Sequence, residues 1–290
     1  MRRIILGCCV CVLSFGEAQA QHFSSIYPEG GKIDLLVGAE LLYRDTYFNQ
    51  MYEAVVNLTP AARWHMGKGW ETAVQVTVPV YNDYGARYKR IRPTMGVVSR
   101  QMKIGKNDYL KVSAGLFGSD RYGLDAKWFH PLNKYVALDA QLGVTGYCSM
   151  AVDWECSQMK RVTGWVGVEF FEPKNKLQVN VHGGRFLYED YGVIGECMRH
   201  FKHVTVGLYG QYTDEMGTNG GFKVVLALPP FKRKHAHRVN VYPASHFRLT
   251  YNAGSDVYSA KSYMTNPEEN EADGYFYPSL LHWGAYGTKE

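Results

Sequence analysis

The chain has 290 residues, of which 46% are hydrophobic and 20% charged, and its formal net charge is +5. This length can bury a sizeable core, and the composition excludes a wholly disordered chain. Past residue 20 no apolar run reaches the span of a membrane-crossing helix, which excludes a polytopic helical protein. The mild positive charge gives no mandate for nucleic-acid binding.

Arg2 and Arg3, the apolar stretch Ile4 to Phe15 and Ala18-Gln19-Ala20 together read as a signal peptide over residues 1–20, cleaved before Gln21. Leu6-Gly7-Cys8 resembles a lipoprotein box, but only Ile4 to Leu6 precede Cys8 as apolar residues, so cleavage after Ala20 is favoured. The expected destination is the bacterial outer membrane. An exported chain meets an oxidising compartment. Cys148 and Cys156 then read either as a small loop disulfide or, with Cys197, as unpaired thiols. Their spacing is not that of a zinc site.

From about residue 32 to residue 228 apolar residues alternate with polar or small ones. In Thr72 to Val80, valines at 74, 76, 78 and 80 alternate with Ala73, Gln75 and Thr77. Val136, Leu138, Ala140, Leu142 and Val144 oppose Ala137, Asp139, Gln141, Gly143 and Thr145. Val204, Val206 and Leu208 oppose Thr205, Gly207, Tyr209 and Gln211. Period two is the mark of a strand with two unlike faces. About 12 strands are predicted, over 32–44, 52–66, 69–81, 88–102, 108–117, 121–130, 134–146, 158–171, 176–187, 191–201, 203–213 and 219–228. Their lengths suit a transmembrane β-strand of about 9–11 residues.

Connections tend to alternate between tight turns and longer polar loops, with short exceptions near Ser119 and Glu189. Aromatics fall near predicted strand ends, among them Tyr43, Trp64, Trp70, Trp128 and Phe170. Both features fit an outer-membrane barrel. The expected fold class is all-β, an antiparallel transmembrane β-barrel over 21–230 followed by a C-terminal periplasmic extension over 231–290. A soluble sandwich also alternates, but with shorter strands and without the two-sided loop asymmetry. Pro229-Pro230 stops the last predicted strand. The basic run Phe231 to Arg238 reads as a solvated linker or as a contact for anionic headgroups or an acidic partner. His235 and His237 lack a third ligand nearby, so neither metal nor cofactor is expected.

Inward polar positions of the alternation include Lys111, Asp125, Lys127, Asp139, Gln141, Glu169, Gln178, Asn180, His182, Tyr209 and Gln211, joined by Trp165. Such groups can bind sugar hydroxyls by hydrogen bonding and ring stacking. The alternative, which is favoured, is that they pair with one another and fill the lumen. A lipid-modifying enzyme needs a serine beside a histidine and an orienting polar group. Ser113 is inward, but His182 has no serine in an obvious neighbouring role and nothing in the sequence joins the two.

Gly184-Arg185-Phe186-Leu187, with Asp190 and Gly192 after it, resembles an element of the YjbH family of outer-membrane exopolysaccharide and capsule proteins. Gly184-Arg185-Phe186-Leu187-Tyr188-Glu189-Asp190-Tyr191-Gly192 is similar to that family's G-R-F-L-x-x-D-x-G element. Val206-Gly207-Leu208-Tyr209, Gly220-Gly221-Phe222, Leu228-Pro229 and Gly115-Leu116-Phe117 with Tyr122-Gly123 extend the likeness. The resemblance implies a non-enzymatic role in export or surface assembly of a polysaccharide. Its expected partners are outer-membrane lipid, polysaccharide and other envelope export proteins, with no nucleic acid. A passive structural or adhesin barrel is the alternative. Within the motif, Gly184 and Gly192 are expected to free the backbone for a turn or bulge, and Arg185 to pair with Asp190 across it.

Overall fold

The computed structural model describes residues 30–44, 53–83, 89–105, 108–133, 135–151, 153–215, 217–229, 237–252 and 263–267. The expected signal peptide at 1–20 and the basic run at 231–236 lie outside the described residues. So does 268–290.

The strands are β1 (Lys32–Arg44), β2 (Glu53–Gly67), β3 (Trp70–Asn82), β4 (Arg92–Lys103), β5 (Tyr109–Phe117), β6 (Arg121–Pro131) and β7 (Val136–Ser149). Then come β8 (Glu155–Cys156), β9 (Arg161–Glu172), β10 (Leu177–Arg185), β11 (Tyr191–His200) and β12 (Val204–Thr213). The last three are β13 (Gly217–Ala227), β14 (Val239–Pro243) and β15 (His246–Asn252).

All of them form one 15-stranded sheet in the order β14-β1-β2-β3-β4-β5-β6-β7-β9-β10-β11-β12-β13-β15, with β8 beside β7. Each of the twelve predicted spans meets one observed strand, and the all-β reading holds. Among the described residues the count of about 12 is corrected to 15, and the ladder is one open order of strands, not a ring. β8 is too short for periodicity to reveal. β14 and β15 fall within 231–290, so that region is not wholly an appendage: residues 239–252 belong to the sheet. Alternation in Val239-Asn240-Val241-Tyr242 covers too few residues to stand out beyond the double proline.

β1 to β7 and β9 to β13 pair as an antiparallel meander, as period two and tight connections dictate. Lys68 at φ 52° and Lys176 at φ 55° turn the chain at one end of the sheet, the tight-turn end. Ser119, Asp120 and Glu189 take φ of 62°, 54° and 71° at the other, the loop end. Pro79 and Pro93 sit beside register shifts, at Val56/Asn57 and Gln75/Val76, where a strand tolerates a missing N–H donor.

The two outermost strands, β14 and β15, are consecutive in the chain and separated only by Ala244 and Ser245. β14 runs parallel to β1 from Ile33↔Val239 to Val37↔Pro243. β15 runs antiparallel to β13 from Ala227↔His246 to Gly221↔Asn252. The linking residues are held on both sides: Ala244 N–H donates to Val37 O and Leu228 N–H to Ser245 O, each at 2.9 Å.

The two faces of the sheet have reversed polarity. In β12, Thr205, Tyr209, Gln211 and Thr213 are buried, whereas Val206, Leu208 and Tyr212 are exposed, Leu208 at 65%. β14 follows the same rule, with Asn240 and Tyr242 buried and Val239 and Val241 exposed. Among the described residues apolar packing inside forms small clusters, the largest being Met95, Val97, Phe117, Leu187 and Tyr263.

Candidate functional site: the polar inner face

The inner face is held together by hydrogen bonds between neighbouring strands. Asp139 on β7 and His182 on β10 both align with Gly167 on β9. Because Gly167 has no side chain, His182 Nε2 reaches Asp139 Oδ2 across the intervening strand at 3.0 Å. A Cβ on Gly167 would meet both partners. Trp165 packs its ring edge-on to His182 at 4.6 Å and donates Nε1–H to Gln141 Oε1 at 2.7 Å. Gln141 in turn donates to Asp125 Oδ1. On the next strands, Gln178 donates to Glu169 and to Asn180 and accepts a bond from the His200 ring.

Further along, Lys223 Nζ on β13 pairs with Glu196 Oε1 on β11 at 3.2 Å, both side chains fully buried. The ammonium also lies 4.8 Å from the Tyr209 ring centroid on the strand between them. Asn240 of β14 donates to Asp34 of β1 at 3.2 Å, and Asp34 is bonded to His65 of β2 at 3.0 Å. Polar groups taken from water need such partners, and the bonds named here run across strands, although Asp139 Oδ1, His182 Nδ1 and Glu196 Oε2 make no hydrogen bond.

The expected inward set therefore does face inward. Asp139, Gln141, Glu169, Gln178, Asn180, His182, Tyr209 and Gln211 are all buried, and Trp165 partly so. All of them except Gln211 take part in the contacts just described. Ser113 is also buried, but its hydroxyl pairs with Ser99 Oγ at 3.0 Å. His182 is engaged by Asp139 instead.

A short segment distant in sequence is inserted against this face. Tyr263 is 2% exposed and stacks on Phe117 at 5.2 Å, with 9° between the ring planes. Its hydroxyl donates to Asp125 Oδ1 at 2.8 Å and lies 3.4 Å from Thr163 Oγ1. Gly143 leaves the room that the ring needs, since a Cβ there would collide with the phenol oxygen. Lys127 donates to Thr265 at 3.3 Å, and Gly118 N–H donates to Met264 O at 2.9 Å, which docks the segment at the loop end. Burial and the charge of Asp125 push the Tyr263 hydroxyl above the ordinary tyrosine range. Sequence reasoning missed Tyr263, because residues 263–267 carry no periodicity and their partners lie about a hundred positions or more away.

The G-R-F-L-x-x-D-x-G stretch is the β10–β11 turn, and its apolar pair folds inward. Phe186 packs with Ile194 and Trp165, and Leu187 joins the cluster around Tyr263. Phe186 N–H donates to Asp190 O at 2.8 Å, and Glu189 N–H to Phe186 O at 3.0 Å. One expectation about this motif is corrected. Arg185 pairs with Glu189 at 3.3 Å instead of with Asp190, because Arg185 lies beside Tyr191 while Asp190 is buried. Gly184 and Gly192 oppose each other within the ladder; Gly184 takes φ 159°, and both permit close approach of the adjacent strand. A Cβ on Gly184 would meet the Trp165 backbone at 2.5 Å, and one on Gly192 would meet the Tyr212 carbonyl.

Cys148 and Cys156 form a disulfide closing the loop between β7 and β9. Cys197 is free and exposed.

The fold and its inner face thus define an all-β sheet protein with a polar, internally bonded buried face. The chain belongs to the YjbH family: the model for exopolysaccharide biosynthesis protein YbjH matches residues 51–222. That match covers β2 to β12 and most of the polar network. Comparison with the curated proteins gives no match.

Proposed function

We propose that this chain is a non-enzymatic outer-membrane β-barrel protein that assists export or surface assembly of an exopolysaccharide or capsule. The observation that carries the membrane reading is the reversed polarity of the sheet. Charged and amide side chains face inward and pair, while Val, Leu and Phe face outward and stay exposed. A soluble sandwich has the opposite arrangement, with its apolar sides turned to a shared core. Lipid requires an apolar outer surface and a backbone with no open edge. Residues 239–252 support the second requirement in this reading: one short segment bonds to β1 with its first half and to β13 with its second, which brings the two ends of the ladder to consecutive strands. The segment 1–20 acts as the export signal.

Family membership supports the polysaccharide role. The bonding of Ser113 to Ser99 and of His182 to Asp139 supports a structural use of these groups over hydrolysis. Two measurements test the proposal. Membrane fractions run on a detergent gel with and without boiling should show a mobility shift in the outer-membrane fraction. A deletion strain should then lose surface or secreted polysaccharide. A soluble periplasmic protein with no shift would refute the barrel, and an unchanged polysaccharide yield would leave a passive structural barrel.

A further inference from the structure

Asp125 on β6, Gly143 on β7 and Thr163 on β9 stand side by side in register across neighbouring strands. The middle position has no side chain, so the row is a notch with a carboxylate on one flank and a hydroxyl on the other. The oxygen seated in it is the Tyr263 hydroxyl, which donates to Asp125 Oδ1 at 2.8 Å and lies 3.4 Å from Thr163 Oγ1. A Cβ at Gly143 would stand where that oxygen sits. Phe117, the last residue of β5, supplies a flat floor, with the phenol ring parallel to it at 5.2 Å and 9° between the planes. At Gly167 the flanking groups close the gap themselves, His182 reaching Asp139. At Gly143 a ring from a distant segment fills it.

The cradle and its occupant are separate pieces of chain. Phe117, Asp125, Gly143 and Thr163 belong to strands and lie within the family-matched residues 51–222, whereas Tyr263 lies outside both. The ladder from β5 to β9 is bonded strand to strand without it. An aromatic face beside a carboxylate and a hydroxyl is chemistry suited to a sugar ring. A pyranose packs an apolar C–H face on an aromatic ring, and its edge hydroxyls donate to a carboxylate in charge-assisted bonds. A phenol stacked on Phe117 with its edge hydroxyl on Asp125 presents the same outline.

We propose that this notch is a binding subsite for a neutral hexopyranose unit of a polysaccharide, and that Tyr263 occupies it as an internal stand-in for the sugar. The inference rests on the polysaccharide reading and deepens it by naming where the polymer is gripped. Sugar and Tyr263 compete for one place, so the apparent affinity is reduced to the extent that the notch is filled from within.

The test is calorimetry on the full chain folded in detergent, with cellotetraose, β-mannotetraose and p-cresol as probes. Tyr263→Ala should bind at least one of the tetraoses about tenfold or more tighter than the parent chain, with little dependence on salt because the probe is uncharged. Phe117→Leu or Asp125→Asn, added to Tyr263→Ala, should remove about tenfold of that affinity. Thr265→Ala removes the bond from Lys127 and leaves ring and notch intact. It should shift the affinity in the same direction, and it replaces Tyr263→Ala if that variant lacks the boiling-dependent gel shift. Equal tetraose affinity in the parent and the folded variant, no tetraose binding by that variant, or binding of p-cresol alone would overturn the subsite and leave the notch as a seat for Tyr263. None of these outcomes bears on the gel shift of the parent chain or on the deletion phenotype, which test the underlying reading.

Discussion

The Tyr263 hydroxyl donates to the Asp125 carboxylate at 2.8 Å, although the two residues are 138 positions apart. This bond fixes a short piece of the C-terminal region against the inner face, behind Phe117 and above Gly143. Tyr263→Ala should free that face. A Thr163→Cys reporter, set behind the ring, should then react with a polar thiol reagent at least about tenfold faster than it does with Tyr263 present. Equal rates would mean that the segment does not cover the wall in solution.

The same bond has a pH signature. The folded-state pKa of Tyr263 is raised above its unfolded value of 10.0. Docking is therefore unaffected below about pH 10 and weakens as pH rises beyond it, by up to about tenfold per unit. A tyrosinate absorbance titration of the folded protein, taken as the difference from Tyr263→Phe, should show no step near pH 10. A step there would place the hydroxyl in water.

Lys223 and Glu196 are a fully buried pair. Lys223→Met leaves a carboxylate with its main counter-charge gone and should cost about 3–5 kcal/mol. The double variant Lys223→Met/Glu196→Gln should recover most of the loss. Urea unfolding followed by the gel shift measures both. A double variant no more stable than the single one would show that the charges do not act as a pair.

Glycine positions separate close approach from mere smallness. Gly184→Ala pushes a methyl into the Trp165 backbone and should destabilise by about 1–3 kcal/mol. Gly195→Ala meets no atom within 4 Å and should stay within about 0.5 kcal/mol of the parent. Similar midpoints for the two variants in a common denaturant series would contradict the observed strand spacing.

Outward residues decide between lipid and water. Leu208 is 65% exposed. Leu208→Arg should cost about 2–4 kcal/mol if the β12 surface lies in a bilayer, and almost nothing if it faces water. Refolding yield and urea midpoint in lipid vesicles distinguish these outcomes. Loss of the Cys148–Cys156 bridge is an independent case. It closes a loop with a sequence separation of 8, and Cys148→Ser should cost about 2.5 kcal/mol by the loop-entropy estimate. An unchanged midpoint would assign the bridge no stabilising role.

Much of the sheet is legible in the residue order because its signal is local. In β12, Thr205 to Thr213 alternate polar or small with apolar, and period two alone puts Tyr209 and Gln211 on one face and Val206 and Leu208 on the other. The same reasoning found twelve strands and the inward polar set, whereas the Gly184–Gly192 motif stood out only by its resemblance to a known family. Residue order also placed Cys148 and Cys156 near enough to pair, leaving the choice between bond and free thiols open.

What only the tertiary structure decided is which inward groups meet. His182 reaches Asp139 because Gly167 stands between them, and Arg185 takes Glu189 because Asp190 is turned inward and buried. Asn240 finds Asp34 from 206 positions away, and Tyr263 finds Asp125 from 138. These contacts depend on strand register and on two short segments that lack a long repeating pattern. Periodicity reports the face to which a side chain points. The partner waiting there is set by how the whole sheet curves and by which distant piece of chain is near enough to satisfy a buried polar group.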